Sequence, residues 1–324
     1  MKSAIDHSNQ PGAAQRPVID FDRPRVKGFR KFLLDSIPCN PVSARQELEE
    51  LRLADLVICY LNWRDRFLQI TPRKVVTWDG LINHGCFHRN RKKILEIAAL
   101  IEKGVDLTPY LSERIVTHGY VGKSTRDKPK RGIEWEDKDY ALNAFNLHHL
   151  HFWPLTARKS PKRSRDLLFA SFSREQAFIL MVGDHNSFSD GTLEKAYAEY
   201  QAASGQELKG LLPGRQTFAW NECKNFQRRG VSAAFYVGDK VVMGAGLTSA
   251  GTAGSHTMHS IKLMDLLRVY EYELDKGQLL KEWYALSNRS CPDNPELIWA
   301  FHHCDFGLFD ASTGFFFAIL QWKR

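Results

Sequence analysis

The sequence predicts an α+β protein: a helical N-terminal region followed by a mixed or antiparallel sheet region with packed helices. Three observations predict it. Apolar residues recur at helical spacing up to about residue 115, and beyond about residue 137 short apolar runs bounded by turn residues take over. The 324-residue chain is also 43 % hydrophobic and 12 % aromatic, enough to cover a substantial core.

In chain order, residues 1–20 are polar and interrupted by Pro and Gly, and read as a disordered lead-in. Ser43 followed by Gln46 has capping-box spacing, and Leu53, Leu56, Val57 and Tyr60 share a helical face, which predicts one amphipathic helix over 44–62. Ile94, Ile97, Ala98 and Ile101 repeat the spacing, with Lys103-Gly104 as the stop. Residues 21–118 are therefore assigned to a helical region. "GYVGKSTRDKPKRGIEWE" (119–136) mixes Gly, Pro and cations without a period and reads as a linker.

Segments 147–153, 166–172 and 176–184 read as strands, the last two forming a hairpin through "SREQ" (173–176). Leu193, Ala196, Tyr197 and Tyr200 mark a helix, Gly238-Asp239 a second hairpin, and Leu263, Leu266, Leu267, Tyr270 and Leu274 another helix. "ELIWAFHHCDFGLFDASTGFFFAIL" reads as two strands joined at Asp310–Gly314. Residues 137–324 are taken as one α+β domain. No repeat or heptad array is present, which removes solenoid and coiled-coil architectures.

The net charge is +8 and the pI about 9.1, which favours an acidic partner such as nucleic acid. Six scattered cysteines without a C-x-x-C pair argue against a zinc ribbon or a disulfide framework. The N-terminal segment lacks the apolar stretch of a signal peptide, and no run approaches the roughly 18 apolar residues of a membrane span. A cytoplasmic protein with no membrane association is expected.

Chemistry concentrates in residues 146–188. By strand alternation His149 and His151 share one face, while His148 goes with the apolar set. Asp184 and His185 stand where the chain leaves a strand, and Arg158, Lys159, Lys162, Arg163 and Arg165 lie between without an acid. RNA can be cut without metal when a base takes the 2′-hydroxyl proton, cations hold the growing phosphate charge and an acid protonates the leaving oxygen. Histidine titrates near neutrality and arginine offers a fork to phosphate oxygens, so the candidate catalytic set is His149, His151, Arg163, Arg165, Asp184 and His185, with no cofactor. His149, His151, Asp184 and His185 are equally a candidate metal-ligand set for a hydrolase. In a third reading the cations only neutralise phosphate in a non-catalytic nucleic-acid-binding or complex-forming module.

"RSRDLLFASFSREQAFILMV" followed by "GDHNSF" resembles the core of RelE/ParE-type bacterial toxins over residues 146–188. That resemblance implies Arg163 or Arg165 on phosphate, His185 as acid or base, RNA as the substrate and a protein antitoxin as partner. The helical N-terminal region and the C-terminal third have no counterpart in such toxins. "KGVDLTPYLS", "KDYALNAFNLHHLHF" and "RSRDLLFAS" together resemble a family of uncharacterised bacterial proteins over residues 100–188, which implies no activity.

Three other stretches compete. "GAGLTSAGTAGSHTMH" (244–259) matches neither phosphate-loop pattern and reads as a glycine loop, with His256 and His259 as exposed caps or phosphate contacts near the next helix. In "FHHCDF", read as one strand, His303 and Asp305 share a face, and Cys304 suits a core better than a nucleophile's setting. Trp63 in "YLNWRDRFL" is either simple packing or a base-stacking group, with Asp65 pairing a neighbouring arginine.

Overall fold

The computed structural model describes residues 18–39, 44–122, 139–155, 165–214, 218–228, 231, 234–244 and 246–322. The helices are α1 (Pro24–Ser36), α2 (Ala44–Glu49), α3 (Leu53–Arg64), α4 (Phe87–Lys103), α5 (Arg114–Thr117), α6 (Tyr140–Phe145), α7 (Thr192–Ala203), α8 (Trp220–Arg228), α9 (Gly254–Leu274) and α10 (Gln278–Leu286). The strands are β1 (Lys74–Thr77), β2 (His148–His151), β3 (Asp166–Phe172), β4 (Gln176–Asp184), β5 (Phe235–Val237), β6 (Lys240–Val242), β7 (Leu297–His302), β8 (Asp305–Asp310) and β9 (Phe315–Leu320). The fold class is α+β, with helices preceding the principal sheets. Among the described residues no helix is long and apolar enough to cross a membrane.

Contacts gather the chain into two compact units, each built from separated stretches. One takes Met1–Asp65, Tyr120–Thr125 and His256–Lys323; the other takes Arg66–Gly119 and Arg126–Ser255. The sequence boundaries at 21–118 and 137–324 follow chain order, whereas this grouping follows packing. Residues 1–17 of the expected lead-in and 123–136 of the expected linker lie outside the described residues.

In the first unit, α1 opens on a proline at its first turn and buries Val26, Phe29 and Leu33. The single helix expected over 44–62 is two, because Arg52 is extended (φ −62°, ψ 154°). At 100° per residue one unbroken helix would place Leu53, Leu56, Val57 and Tyr60 roughly opposite Ala44 and Leu48; the break lets both sets reach one core. Ser43, the expected cap, lies outside the described residues. Strands β7, β8 and β9 form an antiparallel sheet in that order, where two strands were expected. His303 adopts φ 59° and turns the chain so that His302 pairs with Asp305, which ends the shared-face reading of His303 and Asp305. Phe301 stacks on Tyr60 at 4.6 Å between ring centroids, and Phe29 meets Phe306 at 5.3 Å.

A register shift between Phe306 and Gly307 brings β8 unusually close to β9. A Cβ on Gly307 would run into the Phe317 carbonyl oxygen, so only glycine fits there. Gly307→Ala is expected to cost about 2–3 kcal/mol through forced backbone movement, read as a lower urea midpoint; a loss under ~0.5 kcal/mol would mean the strands separate freely at that point.

The second unit is a four-stranded mixed sheet, order β1-β4-β3-β2, with β1 parallel to β4 and the other pairs antiparallel. Strand β1 falls inside the region expected to be helical. Its four residues are half-buried or exposed and carry too few apolar positions to show a period of two. Both sheet faces are covered. Leu168, Ala170, Phe172 and Ile179 meet Ile94, Ile97 and Ile101 of α4, while Leu167, Phe169 and Met181 meet Leu193 and Ala196 of α7. Two-sided burial explains why β3 reads as a continuous apolar run. The β3–β4 and β5–β6 hairpins fall where the turn residues place them.

Candidate functional site

The site grows from one edge of the second unit's sheet. Strand β2 pairs His149 with Phe169 and His151 with Leu167 of β3, so both imidazoles rise from the face that carries Leu167 and Phe169. His148 rises from the other face, beside Ala170, and meets the Phe172 ring edge-on at 5.4 Å. Next in the sheet, β4 ends at Asp184 and turns into a single 3-10 turn, His185–Phe188. Asp184 caps that turn: its carboxylate accepts from the Asn186 N–H at 2.8 Å, and its own N–H donates to Ser187 Oγ at 3.1 Å. Gly183 makes the return possible, because a Cβ there would fall on Ser187 Oγ.

This turn carries His185 back over β2. The His151 and His185 ring centroids stand 5.7 Å apart, and those of His149 and His151 6.2 Å apart. Phe188 closes the inner end, edge-on to His149 at 5.1 Å. The three imidazoles form a row: His149 is mostly covered, His151 is 4 % exposed, and His185 is open to solvent. At the inner end, Asp139 Oδ2 lies 3.3 Å from His149 Nδ1. Burial would raise that carboxyl, yet the His149 imidazole, the Leu142 N–H and the nearby His148 hold it at about 2.

At the mouth, Arg165 Nε donates to Asp184 Oδ2 at 3.0 Å, and the guanidinium is largely exposed. Beside it, Asp166 is held by Arg89 of α4 through two bonds, at 2.8 and 2.5 Å, and by Asn90 at 2.6 Å. Asp166 and Asp184 are register partners across β3 and β4, so the Arg165 and Arg89 ion pairs lie side by side. The Arg89 hydrogen bond, with Asn90, holds the Asp166 carboxyl below the usual carboxylate range against its partial burial.

No protein-family model, curated protein or solved structure matches this chain.

Of the sequence candidates, His149, His151, Asp184, His185 and Arg165 come together at this one edge; Arg163 lies outside the described residues, as do Arg158, Lys159 and Lys162. Asp184 acts on the backbone and on Arg165, which makes it a positioning group. Among the described residues no three His, Cys, Asp or Glu side chains stand in an arrangement able to hold a metal ion. Sequence reading passed over Arg89, Asn90, Asp139 and Phe188. Only Asp139 carried a local signal, an acidic cap three residues before Leu142, whose N–H it accepts at 3.1 Å.

The competing stretches resolve otherwise. His256 and His259 are buried in the first unit, not exposed caps or phosphate contacts. His256 Nε2 lies 3.1 Å from Asp65 Oδ2, and the buried Cys304 thiol lies 3.8 Å from Asp65 Oδ1. Trp63 packs edge-on to Tyr60 at the first unit's core, the packing alternative. In the glycine loop, the N–H groups of Gly246, Thr248, Gly251 and Gly254 already donate to carbonyls of the second unit, which leaves them unavailable to a phosphate.

Burial pushes the His148 imidazole down to about 3, the positive charge of His149 and Arg73 adding to it and Asp139 opposing it. His148 is thus neutral in the fold while the unfolded chain would protonate it below its ordinary pKa of about 6.5. Between those values the unfolded state binds more protons, so stability falls as pH falls from about 6.5 towards 3. The expected loss is on the order of 4 kcal/mol over that interval, and His148→Phe is expected to flatten the slope. Urea denaturation at pH 7, 5.5 and 4 reads this; equal slopes in the two proteins would place the acid sensitivity elsewhere.

Proposed function

We propose that the second unit is a metal-independent endoribonuclease of the toxin-like or defence-related kind, acting on RNA in the cytoplasm. One observation carries the reading: His149, His151 and His185 converge in a row whose open end lies beside Arg165. In this reading His185, at solvent, and His151, behind it, act as the acid–base pair on the 2′-hydroxyl and the leaving oxygen. His149 is a positioning residue, its ring oriented by Asp139. Arg165, with Arg89 beside it, neutralises the phosphate, and each guanidinium keeps one carboxylate partner that holds it in place.

The resemblance of residues 146–188 to the toxin core supports the same roles for Arg165 and His185, and extends to a protein antitoxin as the neutralising partner. The metal-dependent hydrolase draws no support from the geometry, since the Asp184 carboxylate is already engaged by Arg165 and the Asn186 N–H. Incubating the full chain with a fluorescent RNA in EDTA tests the proposal: cleavage that persists in chelator is expected. Cleavage that requires an added divalent cation restores the metal reading. Binding that weakens steeply with salt, with no turnover at all, restores the non-catalytic one.

A further inference from the structure

A second concave site lies in the same unit, in a cavity of about 470 Å³ between α7 and the turn Asp79–Asn83. The α7 wall is a single helical stripe, Thr192, Lys195, Ala196 and Glu199, spaced at i, i+3, i+4 and i+7. Small Ala196 leaves the floor low. The opposite wall is Trp78, Asn83 and His84, with the indole fixed by its Nε1–H donating to the Leu180 carbonyl at 2.7 Å. Gly80 lies so close on that indole that a Cβ would enter the ring.

The two ends of the groove differ in chemistry. At the Thr192 end, the ammonium of Lys195 stands near His84, whose pKa is lowered by burial and by that charge. Thr192 begins α7, so the positive pole of a twelve-residue helix lies at the same end. At the other end are the indole, edge-on to Tyr200 at 5.8 Å, and the Glu199 carboxylate, a hydrogen-bond acceptor. From Thr192 to Glu199 the helix rises about 10 Å, the length of a nucleoside monophosphate, and the volume lies within the range of small-ligand pockets.

The geometry points to this groove as a nucleotide subsite, with the phosphate at Lys195 and Thr192 and an amino-bearing base against Trp78 and Glu199. Its position suits a nucleotide flanking the cleaved bond, since the chain runs from Asn83 and His84 directly into Arg89 and Asn90 at the imidazole site. That assignment to the substrate rests on the nuclease reading; the binding itself does not.

Isothermal titration of the full chain with adenosine 5′-monophosphate, adenosine and inorganic phosphate tests it. The monophosphate is expected to bind at least tenfold tighter than either fragment, because both ends of the groove engage it. Lys195→Ala, at an exposed position, is expected to weaken the monophosphate tenfold or more while leaving adenosine unchanged. Uridine 5′-monophosphate, which offers Glu199 no amino group, is expected to bind more weakly. No detectable monophosphate binding, an unaffected Lys195→Ala, or phosphate alone binding as tightly as the nucleotide would each overturn the subsite. RNA cleavage is scored separately, so nucleotide binding without cleavage removes the nuclease reading alone, and cleavage without nucleotide binding removes the subsite alone.

Discussion

His185→Ala is expected to lower the rate of RNA cleavage about 100-fold or more, the larger part in kcat. A positioned general acid or base typically contributes 10²–10⁴-fold, and His185 is the one imidazole of the row that is open to solvent. Removing it leaves the support intact, because Asp184 caps the turn through backbone contacts that the substitution does not touch. His151→Ala is expected to fall as far if the two rings, 5.7 Å apart, work as a pair. His149→Ala is expected to cost less, since that ring acts through its neighbour. Single-turnover kinetics separates these outcomes. Cleavage retained within threefold in His185→Ala would strip it of the role, and equal losses at all three positions with lowered urea midpoints would mean structural damage instead.

The second large effect is on stability, in the first unit. Glu271 of α9 is 4 % exposed and accepts from Arg25 Nε through both oxygens at 3.1 Å and from Trp299 Nε1 at 2.6 Å; Arg23 lies 3.9 Å away. Trp299 is fully buried in β7, so its indole N–H depends on an acceptor supplied from the helix. Glu271→Ala removes that acceptor and strands the guanidinium of Arg25, and breaking a buried pair from one side costs about 3–5 kcal/mol. Glu271→Gln keeps an acceptor for the indole and loses only the charge, so a smaller loss is expected. Urea denaturation followed by near-ultraviolet circular dichroism measures both. A Glu271→Ala loss below ~1 kcal/mol would show that water replaces the carboxylate.

Much of the second unit was legible locally. The strands β2, β3 and β4 announce themselves by apolar runs between turn residues, and the period-two reading that joined His149 with His151 and set His148 among the apolar residues agrees with the register. The glycine–aspartate hairpin and the stripe of α9 were equally visible. What escaped had no local signature. Strand β1 is short and half-exposed, and becomes a strand because β4 offers it an edge in parallel. The turn at His303 interrupts an unbroken apolar pattern, since left-handed backbone at a histidine leaves no trace in hydrophobicity. His256 and His259, expected as exposed caps or phosphate contacts, are buried because α9 turns its first turns inward as well as its later ones.

From the sequence alone come the fold class, the hairpins and the choice of residues 146–188 as the chemical centre, because turn chemistry and side-chain alternation act within a few residues of one another. Only the tertiary structure decides which groups meet. Asp139 reaches His149, Arg89 reaches Asp166, and separated stretches of chain gather into each unit. These contacts follow from burying apolar faces against partners far along the chain, and no local pattern of residues encodes which distant face will fit.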